Sequence, residues 1–183
     1  MYKIIIADDE PIVLESLKTF LWSDYQCHVA GFAENGITAL HMMETEKADI
    51  LISDIRMPKM NGLELSKAVK ELAPETEIIL LTGYAEFEYA KQAMSLGIRQ
   101  YLLKPFRFED IETALLGCIH SLDNQESRRR QQAYIQEKLK IISPLLTEQI
   151  YQDLLEGRIG DYSEKVAACN IKEALYVVIS TQS

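Results

Sequence analysis

The sequence predicts an α/β fold, a doubly wound five-stranded parallel sheet with helices on both faces. Three observations carry that expectation. Five short apolar runs, at residues 3–7, 27–33, 49–53, 77–81 and 100–103, alternate with longer segments of helical period. Most of these runs are continuously hydrophobic, as strands covered on both faces must be. The residues that end four of the runs are polar and chemically related: Asp8-Asp9, Asp54, Thr82 and Lys104. In open parallel sheets, ligands bind outside the carboxyl ends of the strands.

Between the runs lie the helices. Residues 11–22 start with Pro11 at the first helical position and carry Leu14, Leu17 and Leu21 as an inward stripe. Asn35 caps a helix over 36–46. Asn61 caps one over 62–72, with Leu63, Ala68 and Leu72 facing inward and Pro74 beyond its end. A helix over 85–96 stops at Gly97, a left-handed cap. Phe108 opens an extended last helix with no proline until past Lys140, a length of about 50 Å. Its apolar face is clear at Ile111, Leu115 and Leu122, fades through 123–132, and returns at Ile135, Leu139 and Ile142. This middle stretch is either a solvated helical linker or a coiled-coil dimer stalk, and both readings stay open. Ser143-Pro144 reads as a fresh helix start, with Leu146, Ile150 and Leu154 at four-residue spacing and Gly157 as its end. A short helix over 163–170 and a strand over 174–180 follow. A lone strand leaves its edges unsatisfied, so this small α/β segment reads as incomplete. The expected organisation is a first domain at 1–122, a helical linker at 123–142, and the start of a second region at 143–183.

Composition narrows the function. The 183 residues carry a formal charge of −9, which argues against electrostatic binding to nucleic acid by the chain as a whole. The excess is local: residues 1–122 hold a net −8 and residues 123–183 a net −1. The cluster Arg128-Arg129-Arg130 reads as a solvated linker face. Cys27, Cys118 and Cys169 fit no metal spacing or disulfide framework and read as buried thiols of a reducing compartment. With no secretory leader and no apolar stretch of membrane-spanning length, the expectation is a cytoplasmic protein that does not engage a membrane.

The strand-end residues suggest a chemistry. Asp8, Asp9 and Asp54 crowd three negative charges together, which raises their pKa values unless a cation intervenes. A hard divalent ion with oxygen ligands resolves this, and Mg²⁺ suits few carboxylates, several waters and a phosphate oxygen. A carboxylate is also a nucleophile toward phosphoryl groups. Asp54 could then form an acyl phosphate, with Lys104 neutralising its oxygens and Thr82 donating a hydrogen bond. Each residue alone has a plain alternative as a helix cap, loop or turn residue; their coincidence at four strand ends favours the site.

At these positions the chain resembles the receiver domain of two-component response regulators. The resemblance rests on Ile5-Ile6-Ala7-Asp8-Asp9-Glu10, the run from Asp54 to Gly62, Leu81-Thr82-Gly83-Tyr84, and the run from Tyr101 to Phe106, and it spans residues 1 to about 122. It implies a flavodoxin-like strand order of 2-1-3-4-5. It implies Asp54 as phosphoacceptor, Asp8 and Asp9 as the acidic pair, and Mg²⁺ held by Asp9 and Asp54 directly, by Asp8 mostly through water, and by the backbone carbonyl of Arg56. Thr82 and Tyr101 match the switch pair, and Lys104 the phosphate-binding lysine, with a cis bond to Pro105. The implied partners are a sensor histidine kinase and a second protomer on activation, with residues 84–96 as the responding segment. Residues 123–183 resemble, less specifically, the middle region of AraC-type response regulators, through Leu154-Leu155-Glu156-Gly157 and the run from Leu175 to Ile179. Transcriptional control would then need a C-terminal DNA-binding domain that this sequence does not contain; a stand-alone receiver acting on other proteins is the alternative.

Two rival classes make different demands. Aspartyl phosphohydrolases of the haloacid dehalogenase group place a second Asp two residues beyond the nucleophile, and here that position is Arg56, so steady turnover is not expected. A pure interaction module with a dead pocket would take up no phosphate.

Overall fold

The computed structural model describes residues 1–83, 97, 98 and 100–155, the side chains of 139–155 excepted. Five parallel strands, β1 (Tyr2–Ala7), β2 (Cys27–Ala33), β3 (Ile50–Asp54), β4 (Glu77–Thr82) and β5 (Gln100–Leu103), form one sheet in the order β2-β1-β3-β4-β5. Helices α1 (Pro11–Lys18), α2 (Gly36–Glu46), α3 (Gly62–Leu72) and α4 (Phe108–Leu155), with a 3₁₀ turn over Trp22–Tyr25, complete the described elements. The chain divides into two compact units, Met1–Arg128 and Arg129–Ser183, and the sheet lies in the first.

Alternation along the strands explains the layering. Ile4 and Ile6 point to one face with Ile50, Ile52, Ile79 and Leu81, under Leu14 and Leu17 of α1 and Ile111 and Leu115 of α4. Ile5, Leu51, Ile78 and Leu80 point to the other, under Met43 of α2 and Leu65 and Val69 of α3. With both faces covered, β3 is buried from end to end, and its continuous apolar run is the consequence. Each fully buried Ile or Leu contributes roughly 1.5–3 kcal/mol. The β1–β2 register slips between Ile4 and Ile5, where Val29 is followed by Gly31 in the pairing and Ala30 is left over as a bulge.

The caps act as the sequence requires. The Asn35 side chain accepts from the Thr38 amide. Asn61 accepts from Leu63 and Glu64 while the Glu64 carboxylate accepts from the Asn61 amide, a complete capping box. Gly97 has the left-handed conformation expected of it, φ 76°.

Three expectations are corrected. The first helix stops at Lys18 rather than continuing to Trp22. Its last carbonyls find other donors: Thr19 Oγ1 donates to Ser16 O at 2.7 Å, and the Trp22 indole N–H donates to Leu17 O at 3.0 Å. A short 3₁₀ turn over Trp22–Tyr25 follows, so Trp22 is buried and Leu21 falls out of helical phase, 66% exposed. On α3 the buried stripe runs through Leu65, Ser66 and Val69 with Leu63, and Leu72 is exposed. Finally, α4 continues through Ser143-Pro144 instead of restarting there. An interior proline removes one amide hydrogen bond and crowds the carbonyl four residues back, costing about 3 kcal/mol. The helices expected over 85–96 and 163–170, the strand over 174–180, and Cys169 lie outside the described residues. Cys27 and Cys118 are buried free thiols, and burial pushes their pKa values up to about 11 and about 12.

At the end of the sheet away from the strand-end carboxylates, side chains tie α4 to the strands. Tyr2 Oη donates to Asp123, while Ser121 Oγ and Gln125 Nε2 donate to Glu77 Oε1 at 2.6 and 3.2 Å. The hydrogen bond to Asp123 pushes the Tyr2 phenol up to about 12, with burial adding to it. A phenol whose folded pKa is raised contributes stability below its ordinary value of 10.0, and that contribution is lost as pH rises through about 12. Asp123→Asn is therefore expected to bring the Tyr2 titration, followed by NMR of the ring carbon, down toward 10. Tyr2→Phe is expected to cost about 0.5–1 kcal/mol at neutral pH. A wild-type midpoint near 10 would refute the bond.

Candidate functional site

The carboxyl ends of β1, β3, β4 and β5 bring the expected residues to one edge. Asp8 follows β1, Asp54 is the last residue of β3, Thr82 the last of β4, and Lys104 follows β5. Backbone pairing sets their height: the Asp8 amide donates to Ala33 O, the Ile55 amide to Leu81 O, and the Lys104 amide to Thr82 O at 2.7 Å.

Asp8 and Asp54 are arranged alike. Each folds one carboxylate oxygen back onto the amide two residues ahead: Glu10 N donates to Asp8 Oδ1 and Arg56 N to Asp54 Oδ2, both at 2.9 Å. Such a turn fixes the carboxylate and aims its second oxygen. The second oxygens both face Lys104, whose Nζ lies 2.7 Å from Asp8 Oδ2 and 2.9 Å from Asp54 Oδ1. Both contacts are ion pairs, and Asp8 Oδ2 is a buried oxygen that makes no directed hydrogen bond. Glu10 Oε1 is a third partner of Lys104, at 3.0 Å.

Asp8 is fully buried and Asp54 nearly so. Burial is the main force on both and raises their pKa values, against the pull of Lys104. Asp54 adds to the effect on Asp8, and Asp9 to that on Asp54. Burial acts on Lys104 in the opposite sense, but its three carboxylate partners outweigh it and keep the ammonium protonated. A cavity of about 350 Å³ opens beside these groups, lined by Asp9, Glu10, Asp54, Ile55, Arg56, Gly83 and Lys104.

The structure thus brings Asp8, Asp54 and Lys104 into contact and puts Asp9 and Arg56 on the same cavity. Thr82 is half-buried nearby, and its hydroxyl donates to Gly83 O at 3.1 Å. Tyr101 on β5 is 53% exposed. The Lys104–Pro105 bond is cis. The donors are all hard oxygens, and the orphaned Asp8 Oδ2 is an atom a hydrated divalent cation would satisfy, so the residues fit Mg²⁺. Among the described residues, however, no three carboxylates, histidines or cysteines are gathered around one point; Lys104 stands between them instead. Two contributors escaped the sequence reading. Glu10 was legible only as part of an acidic run, since its partner lies 94 residues away. Gly62 was legible only as the start of a capped helix, although it packs against the Asp54 carbonyl.

Comparison with known proteins places this geometry. The sequence profile of the response regulator receiver domain matches residues 4–116. YesN of Bacillus subtilis (strain 168), an uncharacterized transcriptional regulatory protein, is 36% identical over 184 residues, covering all of this chain and 50% of the relative. The transcriptional regulatory protein HptR of Staphylococcus aureus (strain NCTC 8325 / PS 47) is 34% identical over 129 residues, 70% of this chain and 50% of the relative. The chain thus spans about half the length of the curated relatives it matches. Among solved structures, the REC domain of AraT, a response regulator from Geobacillus stearothermophilus, superposes with a TM-score of 0.65 at 34% identity, over 68% of this chain and 98% of that one. A two component transcriptional regulator AraC from Clostridium phytofermentans ISDg gives 0.64 at 28% identity, over 69% and 98%. No described helix is long and apolar enough to cross a membrane. With its fold, its strand-end residues and these relatives in agreement, the chain belongs to the response regulator receiver domain family.

Proposed function

We propose that Asp54 accepts a phosphoryl group from the phosphohistidine of a sensor kinase and that the fold converts this mark into a change of assembly. The observation that supports it best is the contact of one ammonium, Lys104 Nζ, with the free oxygens of both Asp8 and Asp54. An Asp54 oxygen forms the new P–O bond as the P–N bond breaks, and the departing imidazole nitrogen keeps the electron pair. Asp9 and Asp54, with Asp8 through water and the Arg56 carbonyl, would hold Mg²⁺. Bound there, the ion would neutralise charge on the transferring phosphoryl oxygens. Lys104 then exchanges a carboxylate partner for a phosphoryl oxygen, and the Thr82 hydroxyl turns from Gly83 O toward another. Tyr101, whose ring is exposed here, is the partner of Thr82 in that switch.

Arg56 stands where a phosphohydrolase needs a second carboxylate, so the domain acts as a phosphoacceptor and not as a turnover enzyme. Its output is control of transcription, through an AraC-type DNA-binding domain beyond the half of the relatives that this chain matches. YesN and HptR are transcriptional regulatory proteins, which favours that output over a stand-alone receiver.

Incubation with acetyl phosphate and Mg²⁺ should add the mass of one phosphoryl group as an acid-labile adduct, and sizing should show a shift toward dimer. Absence of the adduct would overturn the reading. Lys104→Ala should still take up some phosphate but lose the shift in assembly; a wild-type response would refute the role given to Lys104.

A further inference from the structure

The outermost partner of Lys104 is Glu10, and the roles proposed for the strand-end residues leave it without a task. Glu10 occupies the N-cap position of α1, yet its side chain makes no capping hydrogen bond. The helix start does not use the carboxylate; Pro11 opens the helix without it. The Glu10 amide is committed to Asp8 Oδ1, so the backbone is fixed and the side chain is directed over the cavity it lines. There its Oε1 stands 3.0 Å from Lys104 Nζ as a directed hydrogen bond, with the glutamate side chain 56% exposed. Lys104 is thus held by two buried carboxylates from within and one accessible carboxylate from the rim.

We propose that Glu10 is a positioning residue that holds Lys104 in the unphosphorylated arrangement and must release it when a phosphoryl group arrives on Asp54, an inference that rests on the phosphoacceptor reading. The argument is one of competition for a single ammonium. Three carboxylate oxygens already crowd Lys104 Nζ, at 2.7, 2.9 and 3.0 Å. A phosphoryl oxygen gains Lys104 only by displacing one of them. Asp54 itself carries the phosphoryl group, and Asp8 is fixed by its own backbone turn and buried, whereas Glu10 is the exposed partner that can swing into solvent. Glu10 therefore biases the resting state, and its strength sets part of the threshold for switching.

Beryllofluoride with Mg²⁺ is the probe. Glu10→Gln removes the ion pair, leaves α1 its proline start, and should tighten apparent binding of the probe roughly two- to fivefold, the range an exposed ion pair supports. Glu10→Asp, one methylene shorter, should shift binding in the same direction. In a Lys104→Ala background the effect of Glu10→Gln should vanish. The same fold-change there would mean that Glu10 acts only as a repulsive charge at the cavity mouth, and the proposal would fall. Unchanged or weakened binding in Glu10→Gln would overturn it too.

A second readout needs no metal or probe. The ¹⁵N ammonium resonance of Lys104, assigned by its loss in Lys104→Ala, should exchange its hydrogens with water severalfold faster in Glu10→Gln than in the wild type. Equal exchange would show that Glu10 does not hold the ammonium. If the wild type binds no beryllofluoride at all, the phosphoacceptor reading fails, while the exchange measurement still decides whether Glu10 positions Lys104.

Discussion

Asp54→Asn should reduce phosphate incorporation from acetyl phosphate by about a hundredfold or more, to background, and at the same time raise the melting temperature of the domain at neutral pH. The two effects share one cause. Asp54 sits at the end of a strand that is buried throughout, and burial holds its carboxyl above its ordinary pKa of 3.8. A folded-state pKa above the unfolded one means that the folded protein binds the proton more tightly. The ionised side chain therefore subtracts from stability at any pH above that window, and asparagine, neutral at every pH, removes the penalty. Lys104 keeps Asp8 and Glu10 as partners, so its charge is not stranded. The gain of the variant over the wild type should be full at neutral pH. It should shrink as pH falls from the raised value toward 3.8, where the wild-type carboxyl becomes neutral as well. Melting curves at neutral and acidic pH, set beside mass spectrometry of the phosphorylated chain, check both halves. A variant less stable than the wild type at neutral pH would mean that the ion pair with Lys104 outweighs the burial of Asp54. Retained phosphate would move the acceptor elsewhere.

The same burial explains what could be read from the chain beforehand. Strands with both faces covered have no polar alternation to blur them, so β1, β3 and β4 fall within one residue of their expected limits; the edge strands β2 and β5 are only partly buried and fall at theirs because turn and polar residues bound their apolar runs. Asn35 and Asn61 are legible because capping is a local matter of a side chain and an amide three residues on. Leu21 and Leu72 are not, because helical phase predicts burial only while the helix lasts and while the neighbouring layer sets its rotation. The α1 end is decided by Trp22 donating to Leu17 O, a contact that follows from the indole's place in the core rather than from any local pattern. The site follows the same division. Asp8, Asp54 and Lys104 announce themselves by standing at strand ends, but which of the surrounding acids shares Lys104 depends on side chains that meet only across the sheet edge. Glu10 stands beside Asp9 in sequence and both line the cavity, yet it is Glu10 that pairs with Lys104.

Gly62→Ala should destabilise the domain by about 2 kcal/mol or more and slow phosphorylation of Asp54, although the residue carries no functional group. By helix propensity the change should help, since Ala is better than Gly by about 1 kcal/mol inside a helix. Tertiary packing reverses the sign. A Cβ at Gly62 would collide with the carbonyl oxygen of Asp54 and press on the Asp54 carbonyl carbon and Ile55 Cα, 2.9 and 3.0 Å away. These are backbone atoms that cannot turn aside. The Gly62 amide donates to Ile55 O at 2.8 Å, and Ser66 Oγ donates to Gly62 O at 2.6 Å, so α3 is fastened at this point and cannot retreat without losing both. The strain must pass into the segment joining Asp54 to Arg56, whose amide aims the Asp54 carboxylate. Denaturant melts should therefore show the loss of stability, and acetyl phosphate labelling of the fraction that remains folded should show slower uptake. Gly83→Ala is the control for stability: a Cβ there meets nothing within 4 Å among the described residues, and melting should be unchanged. Equal melting of Gly62→Ala and the wild type would mean that the β3–α3 connection yields freely, and that the orientation of Asp54 is set by its own backbone turn alone.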